Sequence, residues 1–351
     1  MVTQRKPRPS KYLTVPTRPV QVDRDRSVAG LLEKMEGTGA GSHQLAEAHR
    51  IWLDMLGDST TIFVAASGAL IPAGMRRLLA YVVKNRFVDV LCLSGELIFH
   101  DLHETLGRQH FLSHPSITEA ELESAQITRV GDVLASEDEY HEAGEWISGF
   151  CNQLDQTRPY STREFFHLIG RELSEIASED GVLTSAYKSR VPVFCPTIAD
   201  SAITVGLAAS RFEKKNVNFQ FDIVQDVLDI TQVSAKARVS GVINIGAGTA
   251  RSFIRQTDVA TSVIKAPLRG HKYAIQISAN SDERTGATGN DEINPFGKLA
   301  RGAHTAYVNC DATIALPILI TALSQTGAKY MKGRKRPNFS FAARELSIEV
   351  P

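Results

Sequence analysis

Short apolar runs alternate with longer amphipathic stretches along most of this chain. Residues 61–65, 87–92, 191–195, 241–245, 273–277 and 305–309 are runs of the length expected for strands buried on both faces. Between them the spacing of apolar positions predicts helices over 69–85, 99–106, 140–154, 162–176, 182–188, 201–212, 221–231 and 313–324. Two further helices, 27–35 and 43–56, precede the first strand, with Ser27 and Ser42 as N-caps. Residues 110–137 are polar and irregular, as expected of an insertion over the surface. Strands alternating with helices imply an α/β fold: a doubly wound, mostly parallel sheet with helices on both faces. The pattern divides the chain into an N-terminal arm (1–22), one large domain (23–326) and a C-terminal tail (327–351).

In such sheets ligands bind beyond the carboxyl ends of the strands. The loops to watch carry Ser67 and Gly68, Ser94 and Gly95, Asp200, Gly246 and Gly248, Ser278 and Ala279, and Asp311 and Ala312. The glycine pair opens a predicted helix, where backbone N–H groups can face a phosphate. Arg251 stands where a dinucleotide fingerprint has its third glycine, so by itself the motif reads better as a tight turn than as a phosphate site. Asp200 and Asp311 could receive hydroxyls or amines, or cap the helices that follow.

The chain has 351 residues with 39 basic and 39 acidic side chains, and this balance argues against a nucleic-acid or anionic-membrane binder. The basic run 331–336 reads as a solvated segment. No apolar leader opens the chain and no membrane-spanning run occurs. The four cysteines lack CxxC spacing and read as reduced core thiols of a cytoplasmic protein. His100, His103 and Glu104 share one helix face at a spacing that metals use, but an ordinary polar face explains them better and no metal is expected.

Lys298 follows Asp291, Glu292, Phe296 and Gly297. A lysine held neutral can attack carbonyls and imines, but a free one titrates near 10.4, so burial or a nearby cation must lower that value.

The stretches 61–85, 88–91, 191–200, 222–226, 241–248, 285–288, 291–298 and 311–317 resemble the deoxyhypusine synthase family, in the right order, across roughly 15–325. That resemblance implies a Rossmann-type homotetramer with NAD bound between paired subunits. It implies a polyamine such as spermidine as substrate, oxidised by NAD, with its aminobutyl unit held as an imine on a lysine and passed to an acceptor amine. Lys298 falls on that lysine and Glu292 on an amine-binding carboxylate, with Asp291 beside it. Asp200, Gly246, Gly248, Ser278, Ala279, Asp311 and Ala312 fall on dinucleotide positions. Phe296 replaces a family tryptophan, Ser252 a histidine and Val205 a polyamine-binding aspartate. The family's Ser-Asn pair near Ser67 and its paired glycines near Gly95 are also altered. A closed polyamine site needs an acceptor for each ammonium. The changes therefore point to retained imine chemistry on an altered amine, with the acceptor a protein lysine or a small amine. A homospermidine-synthase-like enzyme, another amine-coupling enzyme and a non-catalytic nucleotide binder remain the alternatives.

Overall fold

The computed structural model describes residues 15–22, 24–114, 116–213, 218–246, 248–279, 295–341 and 346–350. Its centre is a sheet of β1 (Thr61–Ala66), β2 (Val90–Leu93), β6 (Val193–Phe194), β7 (Ser240–Ile245), β8 (His271–Ser278) and β9 (Leu299–Asn309). Their order is β6-β2-β1-β7-β8-β9 and every pairing is parallel. Taken in chain order this is 3-2-1-4-5-6, so the order reverses between β1 and β7 and opens a crevice at their carboxyl ends.

Side chains alternate across the sheet. Ile62, Val64, Ile243, Ile245, Ile275 and Ile277 enter one core with α2 (Ala40–Gly57), α3 (Arg76–Lys84) and α12 (Ala312–Met331). Phe63, Ala65, Cys92, Val242 and Ala274 enter the other with α10 (Ile223–Lys236) and α11 (Thr249–Val263). Covering on both faces explains why the strands read as unbroken apolar runs.

Several expectations need correction. Ser27 does cap α1 (Val28–Met35), its oxygen accepting from the Gly30 N–H. Ser42 caps nothing: α2 begins at Ala40 behind Gly39, and the Ser42 hydroxyl donates to the Gly39 carbonyl. The helix expected from 69 is broken, because Ile71–Met75 forms a π-turn and Gly74 takes φ +85 before α3 begins. The region 110–137 is ordered locally as a three-stranded antiparallel sheet of β3 (Phe111–Leu112), β4 (Ile127–Val130) and β5 (Val133–Ser136), with α5 (Glu119–Ser124). The basic run at 331–336 is not all solvated. Arg334 is buried, its guanidinium 2.6 Å from Asp89, and beyond it β10 (Asn338–Ser340) pairs with β11 (Ser347–Glu349) against α10.

His271, on β8 beside Ser240, is fully buried, and burial pushes it down to about 4. Burial likewise holds His49 and His167 at about 4. Native imidazoles stay neutral while those of the unfolded chain charge below about 6.5, so the unfolded state binds more protons. Stability should therefore fall as pH drops from about 6.5 towards 4, at about 1.4 kcal/mol per pH unit for His271 alone. Asp226 opposes this: burial raises it to about 6, so its contribution is present at low pH and lost as pH rises through that value. Burial also raises the carboxyls of Glu96, Asp101 and Asp258, which act with Asp226, and lowers His100 and His103, which act with the other three imidazoles, so the imidazoles are expected to set the net sign. Urea midpoints at pH 7.5 and 5.0 test the net sign, and His271→Gln should flatten the slope.

Candidate active site

The crevice between β1 and β7 brings Ser67 against the glycine turn. A Cβ on Gly246 would stand 3.2 Å from the Ser67 carbonyl oxygen and 3.3 Å from its hydroxyl, and the residue takes φ +75. Both facts require glycine. The Gly246 N–H donates to the Ile277 carbonyl and its own carbonyl accepts from Gln276 Nε2 at 2.9 Å, so the turn is fixed to β8. Gly248, at φ +107, precedes α11 and supplies no side-chain cap. The first turn of a 15-residue helix thus presents N–H groups and the positive end of its dipole to the crevice. Ser252, on the next turn of α11, is exposed.

On the far side of β1, Ser94 caps α4 (Gly95–Thr105) and its N–H donates to the Ala66 carbonyl. The Gly95 N–H donates to the Thr197 hydroxyl at 3.0 Å, and a Cβ there would meet Ser201 Cβ at 2.4 Å. Asp200 is exposed and caps no helix by its side chain; Ser201 occupies the cap position of α9 (Ala202–Phe212). Glu96 faces Asp200: burial raises the Glu96 carboxyl first, and the Asp200 charge adds to it. At the other edge Ser278 and Ala279 end β8, and Asp311 caps α12, accepting from the Thr313 N–H at 2.8 Å with Ala312 next to it. Capping at Asp311 leaves its second oxygen for a ligand.

Ser67, Ser94, Gly95, Asp200, Gly246, Gly248, Ser278, Ala279, Asp311 and Ala312 therefore lie along one rim. Lys298 does not. It immediately precedes β9, and its carbonyl accepts from the His271 N–H at the opposite end of the sheet. The seven residue steps from His271 to Ser278 along β8 span roughly 23 Å. Lys298 is exposed and its Nζ donates to the Leu268 carbonyl at 3.1 Å. Asp258 of α11 holds the backbone here: its Oδ2 accepts the Lys298 N–H at 2.6 Å, and a Cβ on Gly297 would stand 2.5 Å from that same oxygen. Burial raises the Asp258 carboxyl, and this N–H works in the other direction. Phe296 is 1% exposed and packs on Tyr307 in the core of the second face. Asp291 and Glu292 lie outside the described residues. Val205 lies exposed in a cleft of about 510 Å³ between α9 and α6 (Glu137–Gln153), which Glu137, Glu145 and Glu213 also line.

Gln276 and Asp258 escaped the sequence reading, while Glu96 and Thr197 lie in the strand-end loops 93–96 and 197–200 that it marked without giving them a role. Nothing in the spacing links Asp258 to Lys298, 40 residues away.

The strand order and the helices on both faces define an α/β protein of the doubly wound class. The family model for deoxyhypusine synthase matches residues 30–323, and the chain belongs to that family, a transferase family. It is 38% identical over 318 residues to Probable deoxyhypusine synthase 2 of Methanosarcina mazei, covering 90% of this chain and 91% of that one. It is 36% identical over 292 residues to a protein of the same name from Archaeoglobus fulgidus, covering 82% and 95%. A deoxyhypusine synthase-like protein of Coxiella burnetii is 30% identical over 311 residues, 87% of each chain. Among solved structures, a protein of Entamoeba histolytica assigned as a deoxyhypusine synthase superposes with TM-score 0.58 over 87% of this chain and 96% of that one; at 16% identity it shows the fold.

Proposed function

We propose that the protein is an NAD-dependent aminoalkyl transferase that carries part of a polyamine or related amine as an imine on Lys298. Membership of the family supports the reaction class, and the observation that carries the reading onto this chain is the pinned Gly297–Lys298 turn at the head of β9. The rim residues fit a dinucleotide: Gly246 and Gly248 leave room for the pyrophosphate at the N-terminus of α11, while Asp200 and Asp311 suit ribose hydroxyls. NAD would accept hydride from the amine-bearing carbon of the donor and later return it. Lys298 displaces the departing amine from the oxidised carbon, and an acceptor amine then displaces Lys298. Within one chain the lysine and the rim stand at opposite ends of the sheet. The reading therefore requires a second copy to bring its Lys298 over the rim of the first, as expected for a homotetramer. Exposed Val259 and Val263 on α11, and Val224 and Leu228 on α10, give that contact its apolar area.

The test is incubation with NAD and a panel of diamines, polyamines and amino acids, with borohydride trapping and mass analysis of the peptide holding Lys298. An adduct with any one amine supports the reading. NAD binding with no trapped adduct from any amine would favour the non-catalytic alternative. Gly246→Ala should weaken NAD binding by tenfold or more, because it places a methyl against Ser67 in a left-handed backbone. Unchanged affinity in a fluorescence titration would remove the glycine turn from the cofactor site.

A further inference from the structure

Three polar side-chain atoms from separate segments converge beside α4. His110 Nε2 lies 3.1 Å from His100 Nδ1, and the Tyr140 hydroxyl lies 3.2 Å from His100 Nδ1 and 3.4 Å from His110 Nε2. His100 comes from α4, Tyr140 from α6, and His110 from the connection to β3. The imidazoles of His100 and His110 are each only 3% exposed. Their outer nitrogens both face carboxylates: His110 Nδ1 is 2.8 Å from Glu104 Oε1, and His100 Nε2 is 3.6 Å from Glu96 Oε2.

Hydrogen bookkeeping shows a protonation arrangement that leaves room for a cation. A neutral imidazole carries one N–H. With the His110 N–H on Glu104 and the His100 N–H on the outer side, towards Glu96 at 3.6 Å, both inner nitrogens are lone pairs facing one another at 3.1 Å. The single Tyr140 proton cannot serve both. The three atoms form a nearly equilateral triangle, and a point about 2 Å from all three exists just above its plane, close to the zinc–nitrogen bond length. Donors about 3.3 Å apart are what tetrahedral coordination at that length requires. Carboxylates behind ligating histidines are the usual means of fixing the tautomer that offers its lone pair inward.

We propose that His100 Nδ1, His110 Nε2 and the Tyr140 phenolic oxygen form a binding site for a divalent first-row transition ion such as Zn2+. On binding, the tyrosine gives up its hydroxyl proton to solvent and a water completes the coordination. The site uses His100 from the helix face noted in the sequence, but neither His103 nor Glu104 as a ligand. Among the described residues no group of three or more His, Cys, Asp or Glu side chains is placed to hold a metal; the third donor here is a phenol, and it comes from a helix far along the chain. Tyr140 lines the cleft between α6 and α9, and His110 lines a second cleft beside Arg76 and Arg77. An ion here ties the 110–137 excursion to α4, whose first residues form the rim at Ser94 and Gly95. It is a structural centre, separate from the transfer chemistry.

The test is metal uptake by tag-free full-length protein stripped with a chelator. Titration with Co2+ should give one equivalent bound per chain with visible d–d absorption, displaced by Zn2+, and zinc should raise the melting temperature. His110→Ala should abolish the absorption, and Tyr140→Phe, which keeps the ring packing, should weaken binding by tenfold or more. Should His110→Ala fail to fold, Tyr140→Phe and the wild-type titration decide. Less than about 0.1 equivalent bound by the wild type, or equal uptake by Tyr140→Phe, would overturn the site and leave the triangle as a proton-sharing cluster. Neither readout requires turnover.

Discussion

Replacing Lys298 with alanine is expected to lower aminoalkyl transfer by at least about a thousandfold and to eliminate the borohydride-trapped adduct, while NAD binding survives. The reason is chemical: in the proposed route the amine is the nucleophile that holds the aminoalkyl unit between donor and acceptor, and its removal leaves that route without a covalent carrier. Lys298→Arg should be equally inactive, since a guanidinium remains protonated. Separating the two effects matters, because the lysine stands at the far end of the sheet from the rim that would take the cofactor. If Lys298→Ala retains turnover within tenfold of wild type, the covalent route is wrong, whatever the family does.

The exposed amine also sets a condition on assembly. A lysine in water is protonated and unreactive, and in the proposed assembly desolvation at a subunit contact would be the means of neutralising it. Asp258 contributes by fixing the main chain at Gly297 and Lys298 rather than by touching the amine, whose contact is the Leu268 carbonyl. Asp258→Asn keeps the shape and should reduce turnover modestly. Val263→Asp places a charge in the exposed apolar face of α11 and should release subunits and adduct formation together. Loss of assembly with adduct formation intact would show that one chain suffices.

The sheet was legible in the sequence because burial on both faces leaves an unbroken apolar run, and each of the six runs became a strand of the parallel sheet. The rim was legible for the same reason: strand ends locate it. Helix starts were less so. Ser27 caps its helix, but Ser42 does not, since Gly39 already lets the chain enter α2 at Ala40. The 110–137 segment hid its antiparallel sheet because its strands are two to four residues long and only β5 is mostly buried. What spacing could not reveal were pairings made by distant segments: Asp258 with Lys298, Tyr140 with two histidines, and Arg334 with Asp89. Each depends on tertiary packing that leaves no periodic trace.

The last of these pairings has the largest expected effect on stability. Asp89 is fully buried at the entrance to β2, and its two oxygens serve three donors: the Ile62 N–H at 2.9 Å, Arg334 at 2.6 Å and Arg86 at 3.2 Å. Arg334 also donates to the Thr60 and Arg86 carbonyls, so it ties the chain after α12 to the start of β1. Two guanidiniums share this carboxylate, and burial lowers the Arg86 pKa against its attraction to Asp89. Asp89→Ala takes the counter-charge from buried Arg334 and half-buried Arg86 at once and leaves the Ile62 N–H unpaired. Breaking one buried pair typically costs about 3–5 kcal/mol, so the variant should lose at least that much in urea unfolding. Arg334→Met should lose less, because Arg86 still neutralises Asp89 and the methionine stem refills the space. The order of the two variants is the discriminating result. If Arg334→Met were the more damaging, the tail would be held by packing and not by charge. If Asp89→Ala lay within about 1 kcal/mol of wild type, the buried pair would be satisfied by water and β2 would owe its position to the sheet alone.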